Sequence, residues 1–181
     1  MGRRKEENMF KRILVATDMV TQADTPILTA IDLANQYQAN LNILHVLESA
    51  STVNRDLVQH FRTNEEIPVS HGYIDEVRAA LKKTYGTALM PSETRQLSIC
   101  TGYPWEKIIF HADTTDADLI VLGPHSGAAE KKGVIRVAGK IGSTVQEVIS
   151  RQDRPVMIAN KAVKTEKLKF KNLTYFKIKY E

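Results

Sequence analysis

Two groups of residues in this sequence have types and spacing suited to binding a ligand. The first is Asp18, an acid that directly follows the apolar run 12–17. A carboxylate there is costly to bury without a partner, and it can accept hydrogen bonds from the hydroxyl or amino groups of a nucleoside. A turn or helix N-cap aspartate would occupy the same position. Position alone favours neither the binding role nor the structural role.

The second group is the glycine- and lysine-rich segment 123–144. Glycines let backbone amides approach an anion closely, and a helix that begins at Gly142 would direct its free N–H groups and positive dipole end at that anion. Ser143 and Thr144 add hydroxyl groups. The segment contains Gly123, Gly127, Gly133, Gly139 and Gly142, and the cations Lys131, Lys132, Arg136 and Lys140. This pattern slightly favours a phosphate site over a mobile surface loop.

Two well-known phosphate-binding motifs do not occur in the sequence. A Walker A motif has four residues between its glycines and a serine or threonine after its lysine. Here five residues separate Gly133 from Gly139, and Ile141 follows Lys140. The turn after Asp18 also lacks the glycines of a dinucleotide-binding fingerprint. Neither of these families of phosphate binders therefore applies.

The five histidines show no catalytic or metal-binding pattern. His45 lies inside a predicted strand, where a hydrogen-bonded structural histidine is the favoured interpretation. His60, His71 and His111 share no metal-ligand spacing with one another. His125 lies in the glycine-rich segment, and we expect it to contact a nucleotide rather than to catalyse. No serine–histidine–acid order or nucleophile elbow is present, so the sequence predicts a binding protein and no catalytic residue.

Short apolar runs that are typical of buried strands determine where these residues can lie. Four of them are the runs 12–17, 41–47, 118–122 and 155–159, and a fifth strand is predicted at 94–100, where residues alternate and Leu97 and Ile99 share one face. Apolar residues at helical spacing follow Pro26, Gly72, Pro104 and Gly142, and each series predicts an amphipathic helix. The apolar residues Leu57, Val58 and Phe61 predict a further short helix.

The alternation of strands and helices predicts an α/β fold with a five-stranded parallel sheet and helices on both faces. In such open sheets, ligands bind beyond the carboxyl ends of the strands, where the strand order reverses. Asp18 follows the first strand and Gly123 follows the fourth. These two positions are therefore the first to examine for a ligand.

Composition is that of a soluble globular protein, with 43% hydrophobic and 25% charged residues in a chain of 181. We expect a cytoplasmic protein without a membrane span, because Cys100 is the only cysteine and no apolar run approaches 18 residues. The net charge is +4, but residues 161–181 alone carry +5, from seven lysines and two glutamates. The basic character therefore belongs to the C-terminal segment and leaves the remaining chain at −1.

Several motifs, taken in their order along the chain, resemble the universal stress protein family. They are the segments 13–18, 44–46, 102–104, 117–123 and 154–156, together with Gly142 and Ser143. The resemblance covers residues 9–160, which we interpret as the domain, and leaves 161–181 as a basic C-terminal extension. It implies the sheet order 3-2-1-4-5. It also implies a homodimer, often formed by pairing of the last core strand.

The resemblance further implies an adenine-nucleotide site for ATP, with or without Mg²⁺. Asp18 matches the acid at the adenosine end, Ala16 and Thr17 precede it on the first strand, and Val46 matches the backbone position that contacts adenine. The remaining implied contacts are Leu122, Gly123, His125, Ser126, Gly127, Gly142, Ser143 and Thr144.

The glycine-rich segment departs from the pattern of the nucleotide-binding members, which is Gly-x-x-Gly, nine residues, then Gly-Ser/Thr. Ser126 stands where the second glycine is expected, unless Gly127 takes that role after a shift of one residue. Fourteen residues then separate Gly127 from Gly142, and Pro124 offers no amide donor. We expect the adenosine contacts to survive, since they depend on strand ends. The phosphate contacts are either re-formed with the extra lysines or lost.

The C-terminal extension also departs from the family. Its apolar residues alternate with polar ones, which predicts an additional strand or hairpin. These residues are Leu168, Phe170, Phe176, Ile178 and Tyr180. We favour a solubilising role for the lysines over nucleic-acid binding, because charge alone carries no specificity.

The leading hypothesis is therefore a dimeric, ATP-binding stress-response module that acts by conformational change or by binding a protein partner still to be identified. The first alternative is a dimer that binds no nucleotide and acts through its surface and basic extension. A slow ATP hydrolase ranks last, because the sequence supplies no evident general base.

Overall fold

The computed structural model of the chain describes residues 9–19, 25–49, 56–63, 65–85, 94–124 and 141–159. The described strands are β1 Arg12–Thr17, β2 Asn40–Glu48, β3 Leu57–Gln59, β4 Glu66–Pro68, β5 Arg95–Gly102, β6 Leu119–Leu122 and β7 Val156–Ile158. The described helices are α1 Thr25–Tyr37, α2 His71–Tyr85, α3 Pro104–Thr114 and α4 Ser143–Arg151. The predicted strand or hairpin within 168–180 lies outside the described residues.

Five strands form one parallel sheet in the order β5-β2-β1-β6-β7. β1 lies at its centre, where Val15 pairs with Ile43 on one side and with Val121 on the other. Numbered along the chain without the two short strands β3 and β4, this is the order 3-2-1-4-5. The predicted fold class is confirmed.

The two faces of the sheet bury separate hydrophobic clusters because successive side chains of a strand point to opposite faces. On β1, Ile13 and Val15 join the cluster covered by α1 and α2. Leu14 joins the cluster covered by α3 and α4. Every residue of β6 is buried, as expected for a strand with helices on both faces.

The helices begin and bury residues as their sequences predict. Pro26 and Pro104 lie in the first turns of α1 and α3, where a missing backbone N–H costs nothing. The inner face of α1 buries Ile27, Ala30, Ile31 and Ala34, the helically spaced apolar residues. Among the described helices, none is long and apolar enough to cross a membrane.

The short helix predicted around Leu57, Val58 and Phe61 is wrong. Leu57–Gln59 is instead a strand that pairs antiparallel with Glu66–Pro68. Val58 is fully buried opposite Ile67, and it joins the α1/α2 cluster. The three apolar residues lie within five positions, little more than one helical turn, so the packing of Val58 in a β-hairpin overrode a weak local pattern.

Candidate functional site

The candidate site lies where the order of the strands reverses. From β1 the chain proceeds to β2 and β5 on one side of the sheet, and it then crosses to β6 and β7 on the other. The reversal therefore falls between β1 and β6, which are parallel neighbours. Asp18 follows β1 and Gly123 follows β6, so both lie at the carboxyl edge of adjacent strands.

The strand register places the other predicted residues around this edge. Thr17 pairs with His45, which puts Val46 level with Asp18 on the neighbouring strand. Val15 pairs with Val121, and counting on from that pair puts Gly123 level with Thr17. The residues predicted from the ends of β1, β2 and β6 are thus brought together at one edge of the sheet.

Apolar side chains cover the α3/α4 side of this edge. Ala16, Val46 and Ile141 are each partly buried and pack against the α3/α4 core cluster. Leu122 belongs to the interior of that cluster, with only 3% of its surface exposed. The half-exposed groups form an apolar shelf, defined as Ala16, Val46 and Ile141, which offers the kind of surface that the ring of a nucleobase packs against.

A hydrogen-bonded turn follows β1. The hydroxyl of Thr17 accepts a hydrogen bond from the backbone N–H of Met19 at 3.1 Å, and it also lies 3.0 Å from the hydroxyl of Tyr85. Met19 has a φ of 61°, in the left-handed region that a non-glycine residue adopts only at a cost. The turn that presents Asp18 is therefore held in a strained conformation by the buried Thr17.

His45 lies beneath the same turn, with 4% of its surface exposed. Its Nδ1 is 2.8 Å from the carbonyl oxygen of Thr17. A carbonyl only accepts, so Nδ1 carries the proton in this contact. Burial lowers the pKa of His45, while the hydrogen bond to Thr17 and the charge of Asp18 raise it by less. His45 is thus a hydrogen-bonded strand histidine, as predicted, and the neutral form is favoured.

The beginning of α4 is joined to the end of β6. The backbone N–H of Gly142 donates to the carbonyl oxygen of Pro124 at 2.8 Å. Gly142 is the N-cap of α4, and its own carbonyl accepts from the N–H of Gln146 at 3.0 Å. The free N–H groups in the first turn of α4 therefore lie directly beside the end of β6. The same turn contains Ser143, which is exposed, and Thr144, which is half-buried. The predicted contacts His125, Ser126 and Gly127 lie outside the described residues.

Three residues of this edge were missed from the sequence. Helical spacing marks Tyr85 only as the last apolar position of α2, and the signal for its contact is the hydroxyl, since a buried tyrosine hydroxyl usually has a partner. The left-handed Met19 carries no sequence signal. In the sequence, Ile141 stands out only as the residue that breaks a Walker A motif. Within the described ranges, no group of three or more His, Cys, Asp or Glu residues is arranged to hold a metal.

A shallow cleft of about 240 Å³ lies at the opposite edge of the sheet, between the end of α1 and the start of β5. In this cleft, Nη2 of Arg95 donates to Oδ1 of Asn35 at 2.7 Å. None of the predicted site residues lines it. Parallel sheets bind ligands at their carboxyl edge, so we attach no function to this amino-edge cleft.

Comparisons with known proteins give a consistent result. The sequence model of the universal stress protein family matches residues 9–160. Universal stress protein MJ0531 of Methanocaldococcus jannaschii is 26% identical over 161 residues, which cover 89% of this chain and 88% of the relative. Universal stress protein YxiE of Bacillus subtilis is 26% identical over 159 residues, covering 83% of this chain and 99% of the relative.

Solved structures show the same fold at lower identity. The hypothetical protein MJ0577 superimposes with a TM-score of 0.61 and 20% identity, covering 84% of this chain and 97% of that one. A universal stress protein in complex with cAMP gives a TM-score of 0.54 and 19% identity, covering 83% and 97%. The universal stress protein of Archaeoglobus fulgidus in complex with dAMP gives 0.53 and 18%, covering 83% and 98%.

Proposed function

This chain belongs to the universal stress protein family, and we propose that it binds an adenine nucleotide between the ends of β1 and β6. ATP is the first candidate ligand, with or without Mg²⁺. Binding would change the conformation of the protein or its affinity for a protein partner. The proposal is one of binding, and catalytic turnover of the nucleotide forms no part of it.

One observation carries the proposal. Asp18 and the beginning of α4 lie at neighbouring strand ends, because β1 pairs with β6 and Gly142 is hydrogen-bonded to Pro124. A carboxylate suits the hydroxyl or amino groups of adenosine, and the N–H groups that begin a helix suit a phosphate. Two residues of the apolar shelf, Ala16 and Val46, lie beside Asp18 on β1 and β2, and the third, Ile141, directly precedes Gly142. The three kinds of group that an adenine nucleotide requires thus share one edge of the sheet.

The structural relatives support the adenine part of the proposal. Two structures with this fold are complexes with cAMP and dAMP, which share an adenine base, a sugar and one phosphate. We therefore expect adenosine and AMP to bind even if the enlarged glycine-rich segment contributes nothing to the β- and γ-phosphates of ATP. The gain in affinity from AMP to ATP measures what that segment adds.

Isothermal titration calorimetry with adenosine, AMP and ATP, each with and without Mg²⁺, tests the proposal. Asp18→Asn keeps the shape of the side chain and removes its charge, so the affinity for adenosine should fall roughly 10- to 100-fold, the equivalent of one hydrogen bond to a charged group. Asp32→Asn is the matched control, because Asp32 is exposed on α1, away from the edge. Its variant should bind as the wild type does.

A wild-type protein that binds none of the three ligands at millimolar concentration would refute the proposal. It would favour the alternative of a family member that acts through its surface without nucleotide. Phosphate release, monitored on the same samples, separates binding from hydrolysis. Binding that is equal in the wild type and in Asp18→Asn would place the ligand elsewhere.

We further propose that the protein is a cytoplasmic homodimer joined along β7. β7 is the last strand in the order of the described sheet, and its three residues are each partly exposed. An edge strand offers backbone groups to a second copy of itself. Light scattering after size-exclusion chromatography should give twice the mass of the chain, and a monomer at micromolar concentration would overturn this part of the proposal.

A further inference from the structure

The turn that follows β1 holds both peptide groups around Asp18. The peptide before Asp18 contains the Thr17 carbonyl, which accepts from Nδ1 of His45 at 2.8 Å. The peptide after Asp18 contains the Met19 N–H, which donates to the Thr17 hydroxyl at 3.1 Å. The orientation of the first peptide sets φ of Asp18 and that of the second sets ψ. Two side-chain contacts therefore restrict the backbone from which the Asp18 carboxylate extends.

A residue of α2 contacts the Thr17 hydroxyl in turn. Its oxygen lies 3.0 Å from the hydroxyl of Tyr85, the last residue of that helix. A threonine hydroxyl turns freely about one bond, so a second partner limits the directions in which it can accept from Met19. The left-handed φ of Met19 is strained and persists only where the surroundings enforce it. Tyr85 supplies part of that enforcement.

We propose that His45 and Tyr85 are positioning residues, which orient the Asp18 carboxylate toward the adenosine part of the ligand without touching the ligand themselves. His45 acts through the Thr17 carbonyl, and Tyr85 acts through the Thr17 hydroxyl. Both approach from the α1/α2 side of the sheet, whereas the apolar shelf lies on the α3/α4 side. The inference rests on the proposed adenosine site and extends it to two residues behind the site.

Tyr73 provides a matched control on the same helix. Tyr73, Val77, Leu81 and Tyr85 recur every four residues along α2, and the first three are its buried residues. The Tyr73 hydroxyl accepts from the N–H of Phe61 at 2.9 Å and donates to the carbonyl of Gln59 at 3.4 Å. It thus holds the β3–β4 hairpin in the way that Tyr85 holds the Thr17 turn. Tyr73→Phe and Tyr85→Phe each remove one tyrosine hydroxyl, but only the hydroxyl of Tyr85 contacts the turn that carries Asp18.

Adenosine affinity is the first readout, measured by calorimetry on the full chain. Tyr85→Phe should weaken binding roughly 2- to 10-fold, the effect of one neutral hydrogen bond, and Tyr73→Phe should leave it unchanged. His45→Leu removes the donor to Thr17 and should weaken binding by a similar factor. His45→Asn keeps a donor near the Nδ1 position and should restore part of the affinity. If Tyr85→Phe and Tyr73→Phe bind adenosine equally well while both lose stability, the role of Tyr85 is structural only and the inference fails.

Amide hydrogen exchange at Met19 is the second readout, and it needs no ligand. Exchange of the Met19 N–H should accelerate in Tyr85→Phe and stay at the wild-type rate in Tyr73→Phe. Failure of wild-type protein to bind adenosine would refute the proposed function, while the exchange rates would still show whether Tyr85 orders the turn. Unchanged exchange in Tyr85→Phe would overturn the positioning role even if adenosine binds well.

Discussion

Acidification should destabilise this protein through His45. Burial lowers the pKa of the folded His45 below the ordinary value of 6.5, which an unfolded chain would show. Between these two pKa values the unfolded state binds one more proton than the folded state. The free energy of unfolding therefore falls as the pH falls below about 6.5. Above that pH both states are neutral at His45, and its contribution is constant.

The size of the effect follows from that single proton. Each pH unit between the unfolded and folded pKa values removes at most about 1.4 kcal/mol from the free energy of unfolding. Only 4% of the surface of His45 is exposed, so little solvent is present to weaken the effect. A domain of this size is stabilised by about 5–15 kcal/mol, which makes a loss of this size easy to measure. Burial also lowers the pKa of His111, and this adds a change of the same sign.

Urea unfolding at pH 7.5 and pH 5.5 measures the effect, with His45→Asn as the comparison. The variant lacks the titrating ring, so the wild type should lose up to about 1.4 kcal/mol more than the variant over each pH unit below 6.5. The contribution of His111 is present in both proteins and cancels. His71→Asn changes the exposed first residue of α2. This variant retains the buried imidazole ring of His45 and should behave as the wild type. Parallel loss of stability in the wild type and His45→Asn would refute this account of His45.

Two further predictions concern the core and the helix end. Leu44→Ala should cost about 2–5 kcal/mol of stability in urea unfolding, because Leu44 is fully buried on β2, beside the central strand. Leu28→Ala, at a residue that is 54% exposed on α1, should cost less than about 0.5 kcal/mol. Gly142→Val should weaken ATP binding roughly 10-fold or more and leave adenosine binding unchanged, because the variant places a side chain at the N-cap of α4, beside the N–H groups proposed to hold a phosphate. The φ of −68° at this position suits any residue. Gly72→Val, at a glycine whose added Cβ would meet the Ser70 hydroxyl at an unstrained 3.9 Å, should change neither affinity. A core variant as stable as the wild type, or equal losses of ATP and adenosine affinity, would contradict these expectations.

The sheet and its helices could be predicted because their signals are local and repeated. β1 has the predicted bounds 12–17, since an unbroken apolar run between a cation and an acid allows few other interpretations. α1 followed from helical spacing after Pro26. The hairpin at Leu57–Gln59 could not be predicted in the same way, because its stability comes from pairing with residues 66–68 across a turn. A pattern of three residues does not reveal such a partner.

The residues at the strand ends of the candidate site could be predicted from the sequence, but the contacts that hold the turn around Asp18 could not. Asp18 and Gly123 follow apolar strands, and the rule for ligands in parallel sheets points to both. Tyr85 reaches Thr17 from a helix 68 residues further along the chain, and no local pattern joins the two. The left-handed turn at Met19 depends on the same distant contact. The sequence thus indicates the strand ends at which a site lies more readily than the distant contacts that fix its conformation.

The most direct test of the adenine-nucleotide site is a titration of ¹⁵N-labelled protein with AMP, followed by the backbone amide signals. Shifts should concentrate at residues 16–19, 46, 123 and 142–144, the described residues at the ends of β1, β2 and β6 and at the start of α4. Amides at the opposite edge, such as Asn40 and Arg95, should not move. Shifts confined to that opposite edge, or no shifts at millimolar AMP, would contradict the account.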